Sequence, residues 1–306
     1  MDTATKGARL KGRRHTHESE GEMAWRRSGL ARAMVTATGI LLVLGFSPLA
    51  RAQGQVQLRV MMSGGFSAAF QELQPELEKT TGIKVVITRG PSQGTGPDTI
   101  GNQLHHGVPA DIVIMSREGL DQLIGERWIV AGTDINLGQT PLGMSVRTGA
   151  PRPDISTVEA FRQTMLDAKS VTFPGSTTGI YLSTKLFPQL GIAKEMTPKT
   201  TSTGVGAVAK GDAEIAVQPV SELLHVPGTD FVGTLPAEIQ YISVFSAAIP
   251  RVVKEPKAAK QLLAFLTSEK AKTVIKKSGM EYPFPPRSTS PRSVGRKGAV
   301  ANLSRS

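Results

Sequence analysis

Residues Leu58–Leu73 read LRVMMSGGFSAAFQEL, a short apolar run that breaks at Ser63-Gly64-Gly65 and then changes to a helical pattern. Phe66, Ala69, Phe70, Leu73 and Leu77 recur at three- and four-residue spacing, one face of a helix, and Gly82 supplies its stop. The alternation continues outward. Ile83–Thr88 is short and β-branched and reads as a strand, Ser92–Asp98 (SQGTGPD) as a loop, and Thr99–His106 as a short helix. Asp111–Met115 (DIVIM) is a buried strand, and Gly119–Gly125 opens another helix. Strand and helix in alternation predict an α/β fold, a mainly parallel sheet flanked by helices.

A second unit repeats the style without repeating the sequence. Leu142–Arg147 reads as a strand, and Ser156 with Glu159 as a capping box for a helix carrying Val158, Phe161, Met165 and Leu166. The strand Ser170–Phe173 opens onto Pro174–Gly179 (PGSTTG) and a helix to about Leu190. Ile215–Gln218 is a strand ending in Pro219-Val220-Ser221-Glu222, and Tyr241–Ile249 is an extended run that returns the chain to the first unit. Glu255–Thr267 and Glu269–Lys277 are helices, with Gly279 as the C-terminal cap. Met61 and Met62 fall in a strand and read as core.

The formal charge of +11 over 306 residues raises nucleic-acid binding, but the charge sits at the ends. Residues 53–282 hold 22 Lys/Arg against 21 Asp/Glu, which removes the electrostatic case for DNA or RNA. Lysines from Lys254 to Lys277 read as the solvated face of the last helices. Met34–Phe46 (MVTATGILLVLGF) follows Arg26, Arg27 and Arg32 and precedes Ala50-Arg51-Ala52. That is the layout of a cleavable export signal, with cleavage expected after Ala52, a periplasmic destination, and Met23 as an alternative start. The expected organisation is 1–52 signal with an upstream extension, 53–138 plus 245–282 lobe 1, 139–244 lobe 2, and 283–306 a disordered tail rich in Pro, Ser and Arg. No cysteine is present, and neither a nucleotide loop, an H-E-x-x-H nor a G-x-S-x-G motif occurs, so no cofactor or metal is expected.

Three turns share one design: a strand ends, and Gly with Ser or Thr leads into a helix. They are Ser63–Ser67, Ser92–Thr99 and Gly175–Thr178. Such turns present backbone N–H groups and hydroxyls at the positive end of a helix, which suits a small anion. Ligand contacts are therefore expected from Ser63, Gly64, Gly65, Ser67, Thr95, Gly96, Ser176, Thr177, Thr178 and Ser221, with Ser176–Thr178 on an exposed loop. Tyr181 is expected to donate into the same cleft.

LRVMMSGGFSAAFQEL with HHGVPADIVIMS, and then VRTGAPRPDISTVEAF, GSTTGIYLSTKLFPQLGI and AEIAVQPVSELL, resemble the molybdate-binding (type 2) family of periplasmic solute-binding proteins. The resemblance spans Leu58–Met280. It implies two lobes joined by crossovers near Leu137–Thr140 and Tyr241–Ala248, with an oxyanion or carboxylate held between them. It also implies a monomeric receptor that delivers its ligand to an inner-membrane ABC permease. The family's ligand-binding serine falls here on Gly65, and its second serine loop reads Gly94-Thr95-Gly96-Pro97-Asp98, whose Asp98 suits molybdate poorly. IGNQLHHGVPADIVIM and SVRTGAPRPDISTVEAFRQTMLDAKSV are similar to the branch that includes aconitate isomerase. That branch implies an alternative: an enzyme interconverting cis- and trans-aconitate, with Arg89, Arg117 and Lys185 as candidate cations for carboxylates. His105 and His106 are the obvious titrating pair but read as a solvated helix end, and the catalytic base is left open.

Overall fold

The computed structural model describes residues 55–224 and 226–282; the expected export signal and tail lie outside them. In the first half, β1 (Gln57–Met62) leads through a 3-10 turn, Gly64–Phe66, into α1 (Ser67–Thr81). Then come β2 (Lys84–Arg89), α2 (Ile100–His105), β3 (Ile112–Ser116) and α3 (Arg117–Gly125). The strand β4 (Ile135–Arg147) carries the chain onward.

In the second half, α4 (Val158–Asp167) and β5 (Val171–Thr172) precede α5 (Thr177–Tyr181), which continues through a π turn, Leu182–Leu186, into α6 (Phe187–Gln189). Next are α7 (Ala193–Met196), β6 (Thr200–Thr201), α8 (Val205–Lys210), β7 (Ile215–Pro219), α9 (Val220–Leu223) and β8 (Thr229–Thr234). The chain returns on β9 (Ile242–Ala248) and ends in α10 (Pro256–Leu266) and α11 (Glu269–Lys277).

The strands run in the order β2-β1-β3-β9-β4-β7-β5-β6, with β8 also on β4. β1 is parallel to β2 and β3, and β5 is parallel to β6 and β7. β9 and β4 supply the antiparallel pairs that join the two lobes. β4 is longer than the Leu142–Arg147 expected from sequence. Its first half, Ile135–Pro141, pairs with β9, and its second half, from Leu142, pairs with β7 and β8. One strand is thus shared by both lobes. Beside that switch, Gln240 accepts from Leu142 N at 2.7 Å and donates to Leu142 O at 3.1 Å, tying the outgoing crossover to the returning one.

The period of two along each strand sorts its side chains onto two faces. Leu58, Val60 and Met62 pack with Phe66, Phe70 and Leu73 of α1 and Leu262 of α10, while Met61, Val113 and Met115 face Ile100, Leu104 and Leu120. In the second lobe Leu142, Met144 and Val146 pack on Phe161, Leu182 and Phe187, and Ala216 packs on Val208. Gly82, at φ +70°, ends α1, and Gly279, at φ +86°, follows α11. The capping box falls one residue from its expected place. Thr157, not Ser156, caps α4 by accepting from Ala160 N, while Glu159 turns outward to Arg162.

Asp111 locks the first lobe. Fully buried, it accepts from Arg59 N and Nε at 2.9 and 3.1 Å, and from Lys254 N and Glu255 N at 2.8 and 3.1 Å, joining β1 to the start of α10. Burial opposes its ionisation, but these donors outweigh burial and hold the carboxyl below the usual aspartate range. Its contribution to stability is therefore present above the unfolded aspartate value, about 4, and is lost as pH falls through the lower folded value. Asp111→Ala is expected to cost about 3 kcal/mol at pH 7 by stranding buried donors, and to lose less stability than wild type between pH 5 and 3. Urea denaturation at several pH values measures both.

Candidate functional site

A cavity of about 740 Å³ lies between the lobes, large enough for a ligand the size of a tricarboxylate. The first and third turns meet here: Ser63, Gly64 and Ser67 from one lobe, Gly175, Ser176, Thr177 and Thr178 from the other. The second turn contributes only its ends, Ser92 and Asp98. Gln71, Ser116, Ser202, Thr203, Gln218, Ser221, Glu222 and Ser243 add to the polar lining.

Two helix starts in this cleft, at Ser63 and Ser176, carry no side-chain cap. Thr99, Ser116, Thr157 and Ser268 each accept a hydrogen bond from their own helix. Ser63 and Ser176 stand at the starts of the Gly64–Phe66 turn and of α5 and make no such bond; at α5 Pro174 O takes the Gly179 N–H instead. Ser176 instead accepts from Gln93 N of the opposite lobe at 3.2 Å. Ser63 is 4% exposed, and its hydroxyl has no partner among the described residues.

Arg89 is the cation of this lining; it donates to Ser67 Oγ, and no carboxylate pairs with it among the described residues. Asp98 is an exposed acid at the edge. Glu222 is different. Its carboxyl comes within 3.5 Å of where a Cβ on Gly64 would stand, directly beside the first turn. Burial pushes it up to about 7, although Gln218 Nε2 donates to Oε2 at 2.6 Å and opposes that rise.

Several sequence expectations are corrected. Gly65 is packed under the ring of Phe245, 1.8 Å from where its Cβ would be, so the family's serine has no room there. Thr95 and Gly96 point away from the cleft, and Gly96 O accepts from Thr99 and Asn102 within its own loop. Arg117 is held by Asp121 and Asp134 outside the lining. Tyr181 donates to Ile239 O and stacks on Tyr241. Lys185 is exposed outside the cleft. His105 and His106, in contrast, lie exposed at the end of α2, as read from the sequence: His105 pairs with Glu126 and packs on Trp128, and His106 bonds Asn102 O. Thr177 is 9% exposed rather than a free loop residue.

Hydrogen bonds cross between the lobes at several points. Ser116 Oγ and Thr177 Oγ1 share one at 2.8 Å, Thr177 also donates to Gln93 Oε1 at 3.0 Å, and Ser221 donates to Gly65 O at 2.9 Å. Ser116 and Gln218 went unnoticed in the sequence because their roles depend on which strand ends abut the cleft. Glu222 lay within the quoted strand exit, and its signal was an acid placed next to Ser221 at that exit.

A family model described as bacterial extracellular solute-binding protein matches residues 58–281. The chain is 40% identical over 254 residues to a protein of Pseudomonas sp named aconitate isomerase, covering 82% of this chain and 97% of that one. Among solved structures, the periplasmic molybdate-binding protein of Azotobacter vinelandii superposes with a TM-score of 0.58 at 18% identity, covering 74% of this chain and 100% of its own. The sulfate-binding protein SubI of Mycobacterium tuberculosis gives 0.60 at 13% identity, covering 74% and 86%. At such identities these two speak for the fold alone, the two-lobed α/β architecture of type 2 periplasmic binding proteins.

Ser63→Ala is expected to leave the unliganded protein as stable as wild type or up to about 1 kcal/mol more stable, because it removes an unpaired buried hydroxyl. The same change should shrink the ligand-induced rise in Tm, read by calorimetry. Thr177→Val deletes two bonds between the lobes and is expected to weaken ligand binding about tenfold, with a larger radius of gyration for the unliganded protein by small-angle X-ray scattering.

Proposed function

The chain belongs to the bacterial extracellular solute-binding protein family, and we propose that it uses this fold as an isomerase, interconverting cis- and trans-aconitate, rather than as a passive transport receptor. The observation that carries the reading is Glu222: a half-buried carboxyl in the cleft lining, its pKa raised by desolvation, set among donors arranged for an anion. A receptor that only holds an oxyanion gains nothing from a like charge at the site, since it repels the ligand and costs desolvation. A proton-transfer enzyme needs such a group near neutral pH. The 40% identity to a protein named aconitate isomerase, over nearly its whole length, supports the same reading.

The chemistry fits the lining. The methylene of trans-aconitate lies between a carboxylate and a double bond, so losing its proton gives an anion delocalised over the allyl system and the adjoining carboxylates. Charge then grows on carboxylate oxygens, where preset N–H and hydroxyl donors stabilise it without reorganising. In this reading Ser63, Gly64, Ser67 and Arg89 hold one end of the substrate and Ser176 and Thr178 the other. The protein works in the periplasm, exported by the segment that ends at Ala52.

A thermal-shift panel of cis-aconitate, trans-aconitate, citrate, molybdate and sulfate, followed by chromatography of each aconitate after incubation, tests the proposal. Both aconitates should raise Tm, following mass action, and each should be converted to the other. Binding without conversion would return the chain to the role of receptor for an inner-membrane ABC permease.

A further inference from the structure

We infer that Glu222 is the group that takes the proton from the substrate carbon, with Gln218 as its positioning residue. The inference rests on the isomerase reading and names the residue that reading requires. Its first support is placement. Glu222 lies in α9, directly after β7, and its side chain spans the cleft to the first turn of the other lobe. Oε1 and Cδ stand 3.5 and 3.6 Å from the position a Cβ would take on Gly64, the residue that follows Ser63. A bound carboxylate and the carbon beside it would therefore lie against this carboxyl.

Orientation is the second support. Gln218 Nε2 binds Oε2, and Gln218 Oε1 is itself held by Val205 N, so the amide cannot swing away freely. Oε1 of Glu222 makes no hydrogen bond among the described residues, which leaves one oxygen anchored and one open to the cleft.

Exclusion is the third. Asp98 is exposed at the edge, and Arg89 is a cation bound to Ser67. Tyr181 and Tyr241 spend their hydroxyls on Ile239 O and Glu118. His105 and His106 lie on α2, outside the lining. Burial holds the unliganded carboxyl near neutrality, and a bound polyanion raises it further, which strengthens it as a base once substrate arrives.

In the step, the methylene C–H bond breaks and its electron pair enters the allyl system, while the proton forms an O–H bond on Oε1. The former single bond of the allyl unit gains double-bond character and the former double bond loses it, so the conformation held about the former single bond sets whether the new double bond is cis or trans. The protonated carboxyl then delivers a proton to the other end of the allyl system, a C–H bond forms, and Glu222 returns to carboxylate. No oxidant, reductant or co-reactant is consumed.

Glu222→Gln keeps the size and the Gln218 contact but cannot accept a proton. It should lower conversion of trans-aconitate by at least about 100-fold, in line with loss of a general base, and abolish exchange of the substrate methylene protons with D2O, followed by NMR. The Tm rise with trans-aconitate should be at least that of wild type, because a like charge has gone. Glu222→Asp, a carboxylate one methylene shorter, should keep measurable exchange. Gln218→Leu should lower kcat with little change in KM. Conversion by Glu222→Gln within threefold of wild type overturns the assignment, and so does loss of trans-aconitate binding in that variant, which would make Glu222 an anchor. If wild type itself neither converts nor exchanges, the isomerase reading falls, and this assignment with it.

Discussion

Donors held without acceptors are the constraint on which the site depends. A buried hydroxyl with no partner costs about 1–3 kcal/mol, and Ser63 is such a group at the start of the 3-10 turn Gly64–Phe66 that leads into α1. Ser176, across the cleft, also forgoes capping its own helix. Thr99, Ser116, Thr157 and Ser268, by contrast, accept from their own first turns. At Ser63 a ligand oxygen can supply the missing partner, so ligand binding and completion of the hydrogen-bond network there are one event.

That event can be coupled to closure because the lobes share so little else. β4 passes through both sheets and β9 returns beside it, with Gln240 bridging the two passages. Other polar contacts between lobes include Ser116 with Thr177, Gln93 with Ser176 and Thr177, Ser221 with Gly65 O, and Tyr241 with Glu118, most of them from the turns beside the cleft. A ligand touching both turns therefore acts on the same groups that hold the lobes together, and it biases the closed population by differential contact rather than at a distance.

Much of this was legible in the residues. Short apolar runs placed β1 and β3, and a helical repeat of apolar residues placed α1, because burial on one face of a helix leaves a repeating trace. Ser63, Gly64 and Ser176 could be read as cleft residues because Gly and Ser at a strand-to-helix junction have few other uses. What failed depended on neighbours distant in sequence. Arg117 looks like Arg89 until Asp121 and Asp134 are placed beside it. Thr95 and Gly96 look like Ser63 and Gly64 until Asn102 draws that loop onto itself. Tyr181 is spent on Ile239, 58 residues away. Glu222 carries no periodic signal at all, and its character comes from burial, which a single sequence does not display.

Gly65 and Glu222 bear on one question from opposite sides. The ring of Phe245, projecting from β9, fills the space a side chain at 65 would need, so the hydroxyl a tetrahedral oxyanion would use is missing there. On the other side of the same turn, Gly64 leaves the opening that Glu222 enters. One glycine is enforced by an aromatic ring, and the other makes way for a carboxyl. Together they replace a neutral donor with an ionisable group, which weakens the cleft for a compact oxyanion. A ligand that tolerates the exchange must be long enough to keep its charges on Arg89 and the helix ends while presenting carbon to the carboxyl. That requirement favours an extended polycarboxylate, and among polycarboxylates one with an acidic C–H bond.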